Sequence, residues 1–333
     1  MAGLRNDLID NAKAGLIFLV VLGHFLEEVG GWTSPFFRMV LTAIYIFHMP
    51  AFVFLSGITA KQDNLILRVA RLAVMLGIFQ IAYLAPVLAS TGELPNRLLQ
   101  PYWILWFLLS LIWWMLLLPL ITRIPWALPI SIAVSIGAGA IPDDGFLLSI
   151  SRTLVFLPFF VAGQLYGKQA IAMLQSLSLA RFAAVPLLIG CAAVIYSSGI
   201  DHRWLYGSFS FTLLGTNDLT GYLLRSGLLA LATLSMFAFF ACMPTAASWV
   251  SRIGQRSLAI FVLHGFVVKF WGAAFGGGGA LGEPALLALL VIVSMLTTLV
   301  LAIPVFDKNI RSVTASIVAA PHKFREGVAR DRR

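Results

Sequence analysis

Residues 13–28 read KAGLIFLVVLGHFLEE, an apolar stretch that predicts a membrane-spanning helix with a histidine, His24, near its end. Ionisable side chains are costly inside a bilayer unless they are solvated or paired, so an intramembrane histidine is a functional candidate. Lys13 precedes His24 by about three helical turns, which places both side chains on one helix face roughly 16 Å apart along the axis. Glu27 and Glu28 follow at the spacings where helical side chains meet, so a carboxylate there can orient the ring and raise its basicity.

The composition is that of a polytopic membrane protein. Of the 333 residues, 60% are hydrophobic and 11% are charged, and the mean hydropathy is +0.93; soluble domains carry about 25% charged residues. No secretory signal pattern is present, because Asp10 and Lys13 precede the first apolar run and no small-residue cleavage site follows it. We therefore expect the first helix to be retained, and we find no internal repeat and no separate soluble domain.

Apolar runs of about 20 residues, broken at proline, glycine and charged clusters, predict ten transmembrane helices. The runs lie near 12–29, 36–60, 66–89, 102–122, 126–141, 151–168, 181–198, 221–242, 253–273 and 285–306. The run at 126–141 is short for a span. An even number of spans places both termini on the same side of the membrane. We thus predict an all-α polytopic membrane protein with a transmembrane domain, residues 1–306, and a basic tail, residues 307–333.

The positive charges predict the orientation of the helices. If both termini are cytoplasmic, 17 of the 23 Lys and Arg residues fall in cytoplasmic segments or their flanks, as the positive-inside rule requires. The net charge of +9 is then largely a matter of topology and of the basic tail, which can also contact anionic lipid headgroups. Aromatic or fold signals for nucleic-acid binding are missing, so we expect no nucleic-acid partner.

The ionisable residues inside the predicted spans are histidines rather than carboxylates. None of the 14 Asp and Glu residues falls in the middle of a span, which disfavours an ion-coupled transporter. His48 lies two residues before Pro50 and can satisfy backbone that the proline frees. His264 has no charged neighbour within a helical turn, and a structural role and a substrate-lining role are equally open.

Six short motifs follow one another along the chain. They are DNAK at 10–13, VVLGHF at 20–25, FHMPAFVFLSG at 47–57, WFLLSL at 106–111, LPFFVAG at 157–163 and GQRSLAIFVLHG at 254–265. Together they resemble the membrane-bound acyltransferase 3 family, and most closely its fucose 4-O-acetylase-like branch. The resemblance covers about residues 10–306, and its specific part is a basic residue, ten others and a histidine, which fall on Lys13 and His24.

This resemblance implies that His24 is the catalytic histidine and that Lys13 is its basic partner. It also implies transfer of an acyl group, commonly acetyl from cytoplasmic acetyl-CoA, to a sugar or another acceptor at or beyond the outer face. The phosphates of coenzyme A favour Lys and Arg at the cytoplasmic mouth. Its pantetheine arm, roughly 15 to 20 Å long, could span the axial gap between Lys13 and His24.

We therefore expect three groups of site residues and no metal. The catalytic candidates are His24, Lys13 and Glu28; the donor-binding candidates are Lys13, Arg68, Arg71 and Arg256; and the substrate-binding candidates are Asp10, His48, Ser56 and His264. His24 can act as a general base on the acceptor hydroxyl or be acylated first, and the sequence leaves both routes open.

The sequence thus predicts an O-acetyltransferase of the bacterial cytoplasmic membrane that moves acetyl from acetyl-CoA to a hydroxyl of a sugar or a surface glycan. A transporter or flippase for a glycan or lipid is the alternative, and only the helix count favours it. A catalytically inactive membrane scaffold is a third reading, which the presence of both Lys13 and His24 disfavours.

Overall fold

The computed structural model describes residues 7–93, 100–141, 147–177, 179–276 and 281–331, with side chains described up to residue 320. Every regular element within these ranges is a helix. The α-helices are α1 (Asp7–Val29), α2 (Pro35–Tyr45), α3 (His48–Thr59), α4 (Leu65–Thr91), α5 (Trp106–Ile121), α6 (Ala127–Gly137), α7 (Ile150–Ser176), α8 (Ala180–Ser197), α9 (Arg203–Tyr206), α10 (Asp218–Ala241), α11 (Trp249–Gly254), α12 (Ser257–Phe275), α13 (Glu283–Leu301) and α14 (Pro304–Asp331). Three 3₁₀ turns accompany them at Trp103–Leu105, Ala138–Ala140 and Leu147–Ser149.

Nine stretches among the described residues are long and apolar enough to cross a membrane. They are Asp7–Val29, Pro35–Thr59, Leu65–Thr91, Trp103–Ile121, Leu147–Ser176, Ala180–Ser197, Asp218–Ala241, Ser257–Phe275 and Glu283–Leu301. Each coincides with one of the predicted runs, and the remaining run is the shorter apolar helix Ala127–Ala140. The chain is therefore a polytopic, all-helical membrane protein, as its composition predicts.

The short helix α6 returns the chain from one end of the bundle to the other. The residue after α5, Thr122, accepts a hydrogen bond of 2.7 Å from Gln62 in the loop that follows α3, and Lys61 in that loop lines a cavity with Lys13. In contrast, α7 begins at the opposite end, because its Arg152 lines a cavity with His24. Helix α6 and the 3₁₀ turn at Ala138–Ala140 thus lie between these two ends in the order of the chain.

The predicted helix over 36–60 is broken in the structure into α2 and α3. Pro50 has no N–H to donate to the carbonyl one turn earlier, so the hydrogen-bond ladder opens before it. Phe47 leaves helical geometry, with φ −130° and ψ −22°, and its N–H donates to Ile44 at 3.4 Å. The break places His48 at the first position of α3 and turns its side chain toward the end of α1.

Two glycines allow α3 and α7 to pack closely. Gly57 faces the backbone carbonyl of Phe160, and Gly163 faces the backbone carbonyl of Phe54, so that a Cβ at either position would overlap main chain. Small residues at such crossings let membrane helices approach and gain van der Waals contact. The close crossing holds His48 on α3 beside the first turns of α7.

The tail is helical, which the sequence analysis does not predict. Helix α14 begins at Pro304, so the boundary between residues 306 and 307 falls inside it, and it contacts α4 and α12. Its low hydropathy conceals it from a search for apolar runs. Its placement beside α4 brings part of the tail to the cavity that Lys13 lines.

Candidate active site

A cavity of about 310 Å³ lies at the end of α1 and contains His24. We call it the His24 cavity. It is lined by His24, Glu27, Glu28, Tyr45, His48, Met49, Trp103, Ile104, Trp106, Arg152, Phe156, Leu205, Tyr206 and Phe209. These residues come from α1, the junction of α2 and α3, the turn before α5, the start of α7, and α9 with the segment after it.

The carboxylate of Glu27 is the centre of the polar contacts in this cavity. Its Oε2 lies 3.3 Å from Nδ1 of His24 and accepts a hydrogen bond of 2.7 Å from the Tyr45 hydroxyl. Its Oε1 accepts hydrogen bonds from Nε1 of Trp32, at 3.2 Å, and from the Tyr206 hydroxyl. Four donors, from α1, the loop after it, α2 and α9, therefore hold this one carboxylate in place.

The contact with Glu27 sets the tautomer of His24. A carboxylate can only accept, so Nδ1 of His24 carries the hydrogen of this bond and Nε2 keeps the lone pair. An imidazole held in this way can take a proton at Nε2, and the carboxylate behind it stabilises the resulting cation. His24 is partly accessible, with 16% of its side chain exposed, so a substrate hydroxyl can reach it.

Tyr206 contributes its hydroxyl from α9, outside the membrane-spanning helices. Burial, and secondly the charge of Glu27, raises the pKa of Tyr206 well above its ordinary value. The hydroxyl therefore stays protonated and donates to Glu27 across the whole physiological pH range. Sequence reasoning missed Tyr206, because nothing local in the loop after α8 indicates that it returns to α1.

The structure gives His24 a different carboxylate partner from the predicted one. Glu28, which the sequence analysis places among the catalytic residues, pairs with Nζ of Lys269 on α12 at 2.7 Å. That ammonium also lies 4.6 Å from the centre of the Trp103 ring. Both glutamates line the cavity, but Glu27 makes the hydrogen bond to His24, because its side of α1 faces the donors of α2 and α9.

The other two intramembrane histidines both bond to backbone through Nδ1. Nδ1 of His48 donates to the carbonyl of Ile44 at 2.9 Å, and Nδ1 of His264 donates to the carbonyl of Phe261 at 2.7 Å. His48 also lines the His24 cavity. His264 is fully buried, and its ring stacks on that of His24 with centroids 5.4 Å apart.

Arg152 brings a positive charge into the His24 cavity. Its guanidinium lies 4.9 Å from the centre of the Trp106 ring, and it lines the cavity together with His24. The sequence does not single out Arg152 as a site residue. An arginine near the start of a membrane-spanning helix can be a membrane anchor or a site residue. The local sequence around Arg152 fits both roles, so it does not distinguish them.

A second cavity, of about 550 Å³, lies at the other end of α1. We call it the basic cavity, because its lining holds five cationic side chains and one carboxylate, that of Asp307. The five cations are those of Lys13, Lys61, Arg68, Arg71 and Arg311. Lys13 lines this cavity and His24 lines the other, so α1 connects the two.

The remaining predicted site residues are divided among different places. Ser56 lines the basic cavity, and its hydroxyl donates to the carbonyl of Phe52 at 2.8 Å. Asp10 accepts a hydrogen bond of 3.1 Å from the side chain of Gln255. Arg256 donates through Nη1 to the carbonyl of Ala302 at 2.6 Å and is not among the residues that line the basic cavity.

A series of rings joins the two cavities. Phe52, Phe107 and Phe261 line the basic cavity, and the ring centroids are 6.0 Å apart for Phe52 and Phe107 and 5.3 Å apart for Phe107 and Phe261. Phe261 lies 6.0 Å from His264, whose ring stacks on His24. These ring contacts connect the lining of the basic cavity with His24.

Comparison with known proteins gives a family and two relatives. Residues 6–305 match the family described as the acyltransferase domain of acyltransferase 3. The chain is 27% identical over 312 residues to nodulation protein NolL of Sinorhizobium fredii, and the match covers 80% of this chain and 79% of the relative. It is 24% identical over 301 residues to nodulation protein NolL of Mesorhizobium japonicum, with 80% and 78% covered. No solved structure matches the chain.

The family match covers most of the chain, including the helix α1 that connects the two cavities. It agrees with the resemblance carried by the motifs around Lys13, His24 and His48. This chain belongs to the acyltransferase 3 family and is a membrane-bound acyltransferase.

Proposed function

We propose that this enzyme transfers an acetyl group from cytoplasmic acetyl-CoA to a hydroxyl of a sugar or glycan at His24, in a bacterial cytoplasmic membrane. The observation that carries the proposal is the pair of cavities at the two ends of α1, one basic and one built around His24. A donor with a phosphorylated head and a long neutral arm fits this arrangement.

The basic cavity is the proposed binding site for the coenzyme A head. Lysine and arginine are the usual partners of phosphate, and arginine binds it in a bidentate manner. Lys13, Arg68 and Arg71 line the cavity from α1 and α4. The rise along α1 from Lys13 to His24 is roughly 16 Å, which is within the reach of the pantetheine arm.

In the proposed reaction, Nε2 of His24 removes the proton of the acceptor hydroxyl as its oxygen attacks the thioester carbonyl. The ester C–O bond forms, the C–S bond breaks, and the coenzyme A thiolate takes the proton from the imidazolium. Glu27 stabilises the positive charge on His24 between these steps. If His24 is instead acylated first, the same nitrogen is the nucleophile.

The orientation of the protein is part of the proposal. Lys13 on the first helix and Arg311 on α14 line the same basic cavity, which supports the proposal that both termini lie at that end of the bundle. The excess of Lys and Arg at that side makes it the cytoplasmic side by the positive-inside rule. The His24 cavity then faces the outer side, where surface glycans are modified.

The acceptor side of the site offers both aromatic rings and polar groups. Trp103 and Trp106 line the His24 cavity together with Arg152 and Tyr206, and the Trp103 ring meets that of His24 edge-on with ring centroids 4.7 Å apart. Binding sites for small polar molecules combine such apolar faces with a few fixed polar groups. A sugar ring, with apolar faces and hydroxyl edges, suits this surface.

The proposal is tested with membranes that contain the protein and with acetyl-CoA labelled in its acetyl group. We expect alkali-labile label in a glycan or sugar-lipid fraction, because an oxygen ester is cleaved by mild base. Membranes that contain His24→Ala at the same level are the control. Equal labelling of both membranes, or labelling from another acyl-CoA only, would contradict the proposed reaction.

Replacing Arg68 or Arg71 by Ala is expected to raise the KM for acetyl-CoA about 3- to 30-fold with a smaller change in kcat, because phosphate contacts hold the donor and not the reacting bond. Arg123→Ala is the matched control, since it removes the same charge at the same end of the bundle from an exposed residue that does not line the basic cavity. The measurement is the KM of each variant for acetyl-CoA, determined in membranes. If all three variants keep the KM of the parent, Arg68 and Arg71 serve topology alone.

A further inference from the structure

Helix α14 lies beyond the matched family domain yet forms one wall of the basic cavity. The family match ends at residue 305, whereas α14 begins at Pro304 and continues to Asp331. Four of its residues line the cavity, namely Asp307, Ile310, Arg311 and Thr314. These positions are spaced by three, one and three residues, which places them on one face of the helix.

The start of α14 is fixed against the rest of the bundle. It contacts α4 and α12, both of which also line the basic cavity. Asp307 and Ile310 are half-buried and Thr314 is 3% exposed, so the helix packs against the bundle over its first three turns. The cavity wall is therefore a packed part of the protein and not a loosely attached tail.

Arg311 is held so that most of its hydrogen-bond donors remain available. Its Nε donates to both carboxylate oxygens of Asp307 at 2.8 Å. The guanidinium has five N–H donors, four of them on the two terminal nitrogens, and neither terminal nitrogen makes a hydrogen bond to the described side chains or backbone. Arg68, across the cavity, donates through Nε to the backbone carbonyl of Asp63 at 2.8 Å and through Nη2 to its carboxylate at 2.9 Å.

We propose that α14 completes the donor site and that Arg311 binds a phosphate of coenzyme A together with Arg68. This inference rests on the proposed function, because it takes the basic cavity to be the donor site. Terminal guanidinium nitrogens bind phosphate oxygens in a bidentate manner. The 65% exposure of the Arg311 side chain suits a contact with the nucleotide head, which stays near the surface while the pantetheine arm enters.

A phosphate could also come from a lipid headgroup, since a basic helix beside a membrane attracts anionic lipids. The two sources are separated by measuring coenzyme A binding to the purified full-length protein in vesicles of phosphatidylcholine alone and in vesicles that also contain phosphatidylglycerol. If Arg311 binds the donor, it should contribute to coenzyme A binding in both kinds of vesicle. A headgroup role requires the anionic lipid.

The decisive comparison is Arg311→Ala with Lys308→Ala. Both remove one positive charge from the same turn of α14, but Lys308 is exposed and does not line the cavity. We expect Arg311→Ala to raise the Kd for coenzyme A about 3- to 30-fold and Lys308→Ala to leave it unchanged. In transfer assays with S-acetylpantetheine, which lacks the phosphates, Arg311→Ala and the parent enzyme should have equal rates.

The other possible results of these binding and transfer assays show which part of the proposal is wrong. If Arg68→Ala weakens coenzyme A binding and Arg311→Ala does not, the donor site stands and α14 is no part of it. If neither variant weakens binding, the basic cavity is not the donor site. Equal loss with acetyl-CoA and S-acetylpantetheine, or an effect confined to vesicles with phosphatidylglycerol, would overturn the assignment of Arg311 in favour of a structural or a lipid-binding role.

Discussion

His24→Ala is expected to lower acetyl transfer by about 100- to 10,000-fold, the usual loss when a general base is removed. The protein should remain in the membrane at its normal level, because the side chain is partly exposed and packs at the edge of a cavity. The measurement is the initial rate of transfer of labelled acetyl, divided by the amount of protein in the same membranes.

His202→Ala is the matched control for this variant. It removes a histidine from the same end of the bundle, one that stacks on Trp32 and does not line the His24 cavity. We expect its transfer rate to fall far less. Transfer near the parent rate by His24→Ala would end the catalytic assignment of His24, and His48, whose ring lines the same cavity, would become the next candidate.

Glu27→Gln is expected to produce the second largest loss, roughly 10- to 1,000-fold in kcat, with little change in the KM for acetyl-CoA. The amide keeps the size of the side chain but loses the charge that favours the imidazolium form of His24. It can also turn an N–H toward Nδ1, which would favour the wrong tautomer. The separate effects on kcat and KM distinguish this positioning role from a general loss of folding.

The adjacent residue provides the control for Glu27. Glu28→Gln makes the same chemical change one position along α1 and breaks the ion pair with Lys269, not the bond to His24. We expect a smaller effect on kcat from it than from Glu27→Gln. A larger loss of kcat in Glu28→Gln than in Glu27→Gln would contradict the role of Glu27 and favour Glu28, the carboxylate predicted from the sequence.

The helices and the central histidine were predictable, because hydropathy determines where a chain crosses a bilayer and the lone ionisable group in an apolar run is visible in the sequence. The break between α2 and α3 was not predicted, because the apolar run over 36–60 predicts one helix, although the cause of the break, Pro50, is visible in the sequence. The roles of Lys13 and His24 remain predictions, but the structure places them at the ends of one helix, in two different cavities.

The choice between Glu27 and Glu28 was not predictable from spacing. Both lie within reach of His24 along α1, and the deciding contacts come from Tyr45 and Tyr206, far away in sequence. Arg311 was hidden for a different reason, since α14 is too polar to be detected as a span. The position of a side chain that depends on packing between distant elements cannot be read from local pattern.

The ring series between the basic cavity and His24 has a bioenergetic consequence. An enzyme with polar cavities entering from both faces of an energised membrane would conduct protons if water joined them. The side chains of Phe52, Phe107 and Phe261 offer no hydrogen-bonding group to carry a proton. If the proposed donor and orientation hold, the same rings that a thioester arm passes also separate the two polar cavities, which would limit proton leakage through the enzyme between turnovers.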